Sequence, residues 1–135
     1  MKYSTIKKYK YRLEEDEVFH TSLFGDVIDH QLFSLAIDGR LVVYKGYLWN
    51  GLSGPTWDTE SSKRGSLGHD VKYQMIRLKL LPLYEKDVVD LEMKQDLIQG
   101  GVWPFRAEYC YQAVKFLGAS SCVPGDIQIP TIIEV

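Results

Sequence analysis

GSLGHDVKYQMIRLKL, residues 65–80, decides how this chain is read, because its apolar residues recur at helical spacing around a histidine and a carboxylate. Leu67, Val71 and Leu78 make one apolar line, with Met75 and Ile76 beside it. Ser61 or Ser62 stands where a helix cap belongs, and the pattern runs to about Leu80 before Pro82 breaks it. On such a helix His69 and Tyr73 share a face one turn apart, while Asp70 is rotated by about 100°. A second helix is expected over 85–99, where Val89, Met93 and Leu97 stack and Gly100-Gly101 stop it. Its short connection favours an antiparallel return, which turns Asp90 back toward His69 and Tyr73. A third helix over 106–117 puts Tyr109, Ala113 and Phe116 on one face and ends at Gly118.

Upstream of this region the period changes to two. QLFSLAI (31–37) and RLVVYKG (40–46) flank Asp38-Gly39, a dipeptide suited to the positive φ angles of a tight type I′ hairpin. Tyr9, Tyr11 and Leu13 alternate with polar residues, and Val18, His20 and Ser22 continue as a second short strand. KKYKYR (7–12) interleaves aromatics with cations and reads as an edge strand kept soluble by its lysines, in preference to a phosphate-binding strip. The expected fold class is α+β in one domain, 1–135. N-terminal antiparallel β hairpins (1–46) pack against a bundle of about three helices (63–118), two of them antiparallel. A Gly/Pro/Trp loop (47–62) joins the halves, and 119–135 is an extended tail suited to forming a terminal strand or docking on a neighbouring subunit.

The composition narrows the function. A chain of 135 residues with 45% hydrophobic and 25% charged residues buries a core and is not a disordered chain. A net charge of −2 with dispersed cations gives no electrostatic case for nucleic acid. The N-terminus lacks the apolar core of a signal peptide, so synthesis in the cytosol of the producing cell is expected. Cys110, inside a helical stretch, reads as a small core residue, and two cysteines do not indicate a disulfide framework.

The chemistry gathers at His69. Asp90 can accept a hydrogen bond from one ring nitrogen and leave the other for a water, the arrangement of a general base. Asp70 points elsewhere and is suited to a hard cation such as Ca²⁺, with further oxygens from loop carbonyls near Gly51 and Gly54. The competing structural reading makes the same residues a satisfied polar network that sets helix register. His20 and His30 have no partners at metal-ligand spacing. The acidic run Glu14, Glu15, Asp16 and Glu17 reads as a solvated turn, and Trp49, Trp57 and Trp103 as core or interface residues.

The motifs GYLWNGLSGP (46–55), GHDVKY (68–73), VDLEM (89–93), GGV (100–102) and YQAVKFLG (111–118) together resemble a family of unknown function found in tailed phages and prophages. The resemblance implies a phage-encoded protein synthesised in the host cytoplasm and incorporated in the virion at the tail. Its partners would be other virion proteins or further copies of itself. A more distant similarity is to phospholipase A2, above all its disulfide-free versions in viral capsids. That likeness implies His69 as the water-activating base, Asp90 as the residue orienting it, Tyr73 as support for Asp90, and Asp70 as a calcium ligand beside the glycine loop. The alternative function it implies is calcium-dependent hydrolysis of a phospholipid or other ester, with membrane lipid as partner.

Overall fold

The computed structural model describes residues 1–4, 11–23, 27–51, 59–118 and 122. The expectations for Tyr9, for the lysines at 7, 8 and 10, for Gly54 and Trp57, and for the tail at 119–121 and 123–135 lie outside them. The chain divides into two compact units, one within Met1–Asn50 and one within Gly51–Ile127. The first is all β and the second is helical, so the fold class is α+β.

Among the described residues the β unit holds two antiparallel sheets. One has the order β1 (Tyr3–Ser4), β2 (Tyr11–Leu13), β7 (Leu48–Trp49); the other runs β3 (Glu17–His20), β6 (Arg40–Val43), β5 (Phe33–Leu35), β4 (Ile28–Asp29). Strand alternation does what period two predicts in β2, where Tyr11 and Leu13 are buried around Arg12. Of the stretch 7–12 expected to form an edge, the described residues Tyr11 and Arg12 belong to β2, which lies between β1 and β7. The burial pattern corrects β3: Phe19 is the side chain turned inward, and His20 is exposed. Trp49 is buried and packs its ring 5.2 Å from that of Tyr11.

The β5–β6 hairpin is present, with Leu35 opposite Leu41, but its turn is not type I′. Gly39 N donates to the Ala36 carbonyl and Ala36 N to the Arg40 carbonyl, so the loop is Ile37-Asp38-Gly39. Gly39 alone takes a positive φ, 91°, the residue that follows a type I turn in a three-residue hairpin. Asp38 keeps a negative φ and uses its carboxylate to accept from Arg40 N at 3.1 Å.

In the helical unit α1 spans Glu60–Arg77, α2 Lys86–Gln99 and α3 Pro104–Leu117, with a 3-10 turn at Leu83–Glu85 leading into α2. The cap of α1 is Thr59 and not Ser61 or Ser62, which lie inside the helix; Ser62 Oγ instead accepts from Thr59 N at 2.9 Å as the third helical residue. α1 ends three residues before Leu80, because Lys79 turns left-handed (φ 61°) and Leu80 N folds back to the Met75 carbonyl. Leu67, Val71 and Met75 form its buried row, and Val89, Met93 and Leu97 that of α2. α3 begins earlier than expected, with Pro104 in its first turn. Ala107, Cys110 and Val114 face the core, so Tyr109, Ala113 and Phe116 share the outward side. Among the described residues no helix is long and apolar enough to cross a membrane.

Candidate functional site

The site follows from two helical repeats. His69 and Tyr73 sit at i and i+4 on α1, and their rings meet tilted at 46° with centroids 4.0 Å apart. α2 runs back beside α1 and delivers Asp90 between them, entirely buried. Asp90 Oδ1 accepts from Tyr73 Oη at 2.6 Å and lies 2.9 Å from His69 Nε2. Asp90 Oδ2 accepts from Lys86 Nζ at 2.7 Å. The three site residues named from the sequence are therefore brought together, and the pairing of Asp90 with both His69 and Tyr73 is present.

Lys86 was not foreseen. It stands four residues before Asp90 on the same helix, so i, i+4 spacing was the signal that could have found it. Its ammonium also donates to the carbonyls of Val114 and Lys115 at 3.2 and 3.4 Å, at the negative end of the α3 dipole. Gly118 ends α3 beside the network because a Cβ there would meet Tyr73 Oη at 2.4 Å, an approach only glycine permits. The buried Cys122 thiol lies in the same neighbourhood; burial pushes its pKa up, and the Tyr73 hydroxyl is within hydrogen-bonding reach. Cys110 is likewise a buried free thiol, as its helical position suggested.

The charges sort themselves by these contacts. Burial alone would raise Asp90, but hydrogen bonds from His69, Lys86 and Tyr73 outweigh it and hold the carboxyl below its ordinary range. Burial lowers His69, and its bond to Asp90 does not offset this. Burial and the Asp90 hydrogen bond together push the Tyr73 phenol far up. At neutral pH Asp90, His69 and Tyr73 are thus an aspartate, a neutral imidazole and a phenol. An aspartate at Nε2 assigns the ring proton to that nitrogen, so the imidazole's basic lone pair is on Nδ1. His69 as a whole is 5% exposed, which leaves little of the ring open to solvent.

A second charged contact joins the same helices. Lys72 Nζ donates to Glu92 Oε1 at 3.0 Å, with Lys72 1% and Glu92 9% exposed. It too was absent from the sequence reading, because neither residue interrupts the apolar period of its helix.

Asp70 is half-buried on α1, and Gly51 is buried with φ 79°. These two are the described members of the expected calcium set. Among the described residues no group of three or more His, Cys, Asp or Glu side chains stands ready for a metal. Gly54, the other expected source of a loop carbonyl, lies outside the described residues. His30 serves its own turn, its Nδ1 accepting from Leu32 N at 3.1 Å. Asp16 likewise caps a loop, accepting from Lys45 N at 2.8 Å. Trp103 is 70% exposed. No protein-family model matches the chain, and no curated protein or solved structure matches it.

Proposed function

We propose that this is a phage-encoded virion protein, placed at the tail, in which the His69–Asp90 network serves the fold and not catalysis. The observation that carries the non-catalytic part is the saturation of Asp90. Both its oxygens are occupied by three donors, and the histidine it holds is almost sealed. A carboxylate so placed fixes the register of α1 against α2. The virion assignment is supported by the order of the five motifs that resemble the phage family, and by large aromatic side chains left on the surface of α3. Mass spectrometry of purified particles tests it: the protein is expected at a fixed copy number per particle. Its absence from particles, with expression confined to early infection, sinks the assignment.

A calcium-dependent hydrolase of phospholipid or another ester is the second reading, favoured by one specific feature. The Nε2 contact with Asp90 leaves Nδ1 as the basic atom of His69, in the orientation a general base needs. An open groove of about 570 Å³, lined by Ile76, Leu80, Leu81, Pro82 and Leu83, borders Cys122 and has the apolar character an acyl chain requires. Under this reading His69 takes a proton from water while Asp90 stabilises the imidazolium. Wild-type protein with millimolar calcium would then cleave phospholipid or a model ester, and His69→Gln would abolish cleavage with the fold intact. No turnover of either substrate by the wild type removes this reading for them.

A further inference from the structure

The outward side of α3 carries a spacing that goes beyond its exposed aromatics. Phe105, Tyr109 and Phe116 are 71%, 49% and 73% exposed, while the opposite side of the same helix is buried through Ala107, Cys110 and Val114. Large aromatics therefore point to solvent and small residues to the core, the reverse of an ordinary amphipathic helix. The outward residues are Phe105, Tyr109, Gln112 and Phe116, spaced four, three and four apart. That is the alternating spacing of a coiled-coil seam, with Phe105 and Gln112 at d positions and Tyr109 and Phe116 at a positions. Glu108 and Lys115 flank it at the two g positions, and Arg106 and Ala113 at the e positions.

We propose that this face is a contact between two copies of the chain, with their α3 helices paired antiparallel about a two-fold axis. Antiparallel pairing sets a positions against d positions. Phe105 then meets the partner's Phe116, and Tyr109 meets the partner's Gln112, each pair occurring twice by symmetry. In that register the g positions face one another, and Glu108 stands against the partner's Lys115. A parallel pairing would bring Glu108 to Ala113 of the second copy and lose both ion pairs. The charges therefore select the antiparallel orientation.

The intramolecular contacts prepare this geometry. Lys94 Nζ donates to Glu108 Oε1 and Gln112 Nε2 donates to Glu108 Oε2, both at 2.6 Å, so the carboxylate is held along the seam. Its side chain stays 42% exposed and keeps lone pairs for a further donor. Lys115 lies over the Tyr111 and Phe116 rings at 5.8 and 5.9 Å, at the opposite end of the same seam. A lipid surface fits this face less well, since Glu108 and Gln112 sit within it.

Sedimentation of the full chain over a concentration series tests the proposal. Wild type is expected to pass from monomer to dimer as concentration rises. Phe116→Ser should remove the dimer and melt as wild type does at concentrations where wild type is monomeric. Glu108→Lys alone and Lys115→Glu alone should each weaken association about tenfold, because both symmetric pairs become repulsive. A mixture of these two variants should form heterodimers of about wild-type affinity, since every cross pair is again opposite in charge. The proposal is overturned by a wild type that stays monomeric, by a dimer indifferent to Phe116→Ser, or by a mixture no better than its components. Binding to phosphatidylglycerol vesicles without self-association would overturn it as well.

Discussion

Two buried charged contacts join α1 to α2, and they are built on opposite plans. Asp90 gathers three donors from three positions, His69 and Tyr73 on α1 and Lys86 on its own helix. Lys72 Nζ and Glu92 Oε1 meet across the seam at 3.0 Å. In the first, the carboxylate is the shared partner of the whole group, so its loss takes an acceptor from all three donors at once. In the second, an ammonium on one helix offsets the burial of a carboxylate on the other. Buried charges cost free energy to desolvate, and good geometry with full hydrogen bonding is what offsets that cost. The difference predicts that Asp90 has no apolar substitute whereas the Lys72–Glu92 pair does.

The largest effect is expected at Asp90. Asp90→Ala should destabilise the chain by ~3–5 kcal/mol in urea denaturation, because Tyr73 loses its acceptor and the Lys86 ammonium loses its counter-charge in a buried site. A loss below about 1 kcal/mol would erase the distinction between the two contacts.

His69→Gln should cost ~1–3 kcal/mol if the histidine is structural, since an unmatched polar group remains in a closed site. A gain in stability would point the other way, toward a strained catalytic residue. The same variant sharpens the pH dependence. His69 is lowered from 6.5 by burial, so the unfolded chain binds a proton there that the folded chain refuses. Stability is then complete above pH 6.5 and declines as pH falls below it. Asp90, lowered from 3.8, adds a further loss as pH falls through the acidic range. In His69→Gln the first decline should vanish and the second persist, measured by melting temperature against pH.

The smallest net effect is expected where both partners of a pair are replaced together. Lys72→Met with Glu92→Leu should fall within about 1 kcal/mol of wild type or above it, while Glu92→Leu alone, which strands the ammonium, should cost ~3 kcal/mol or more. A double variant as damaged as Asp90→Ala would show the two contacts to be equivalent.

Much of the helical unit was legible because its signals are local. Val89, Met93 and Leu97 had to stack, Gly100-Gly101 had to end α2, and the i, i+4 rule placed Tyr73 above His69 before any contact was known. The β unit was less legible. Val18 and Phe19 both suit a strand, and which one faces inward depends on the pairing of β3 with β6. Asp38-Gly39 suggested a two-residue turn, yet the Ala36–Arg40 pairing lengthened the loop by one residue and left Asp38 at negative φ. Strand order also escaped the sequence: lysine-rich flanks suggested an edge, and β2 lies between two neighbours.

The sequence by itself determined the α+β class, the three helices, the hairpin between β5 and β6, and the presence of His69, Tyr73 and Asp90 on facing helices. These rest on period, caps and chain length, which act over a few residues. Only the tertiary structure decided that Lys86 completes the Asp90 shell, that Lys72 and Glu92 are buried together, and that the aromatics of α3 point outward. Each of those depends on which side of a helix meets a neighbour, and helical periodicity names a side without saying what will cover it.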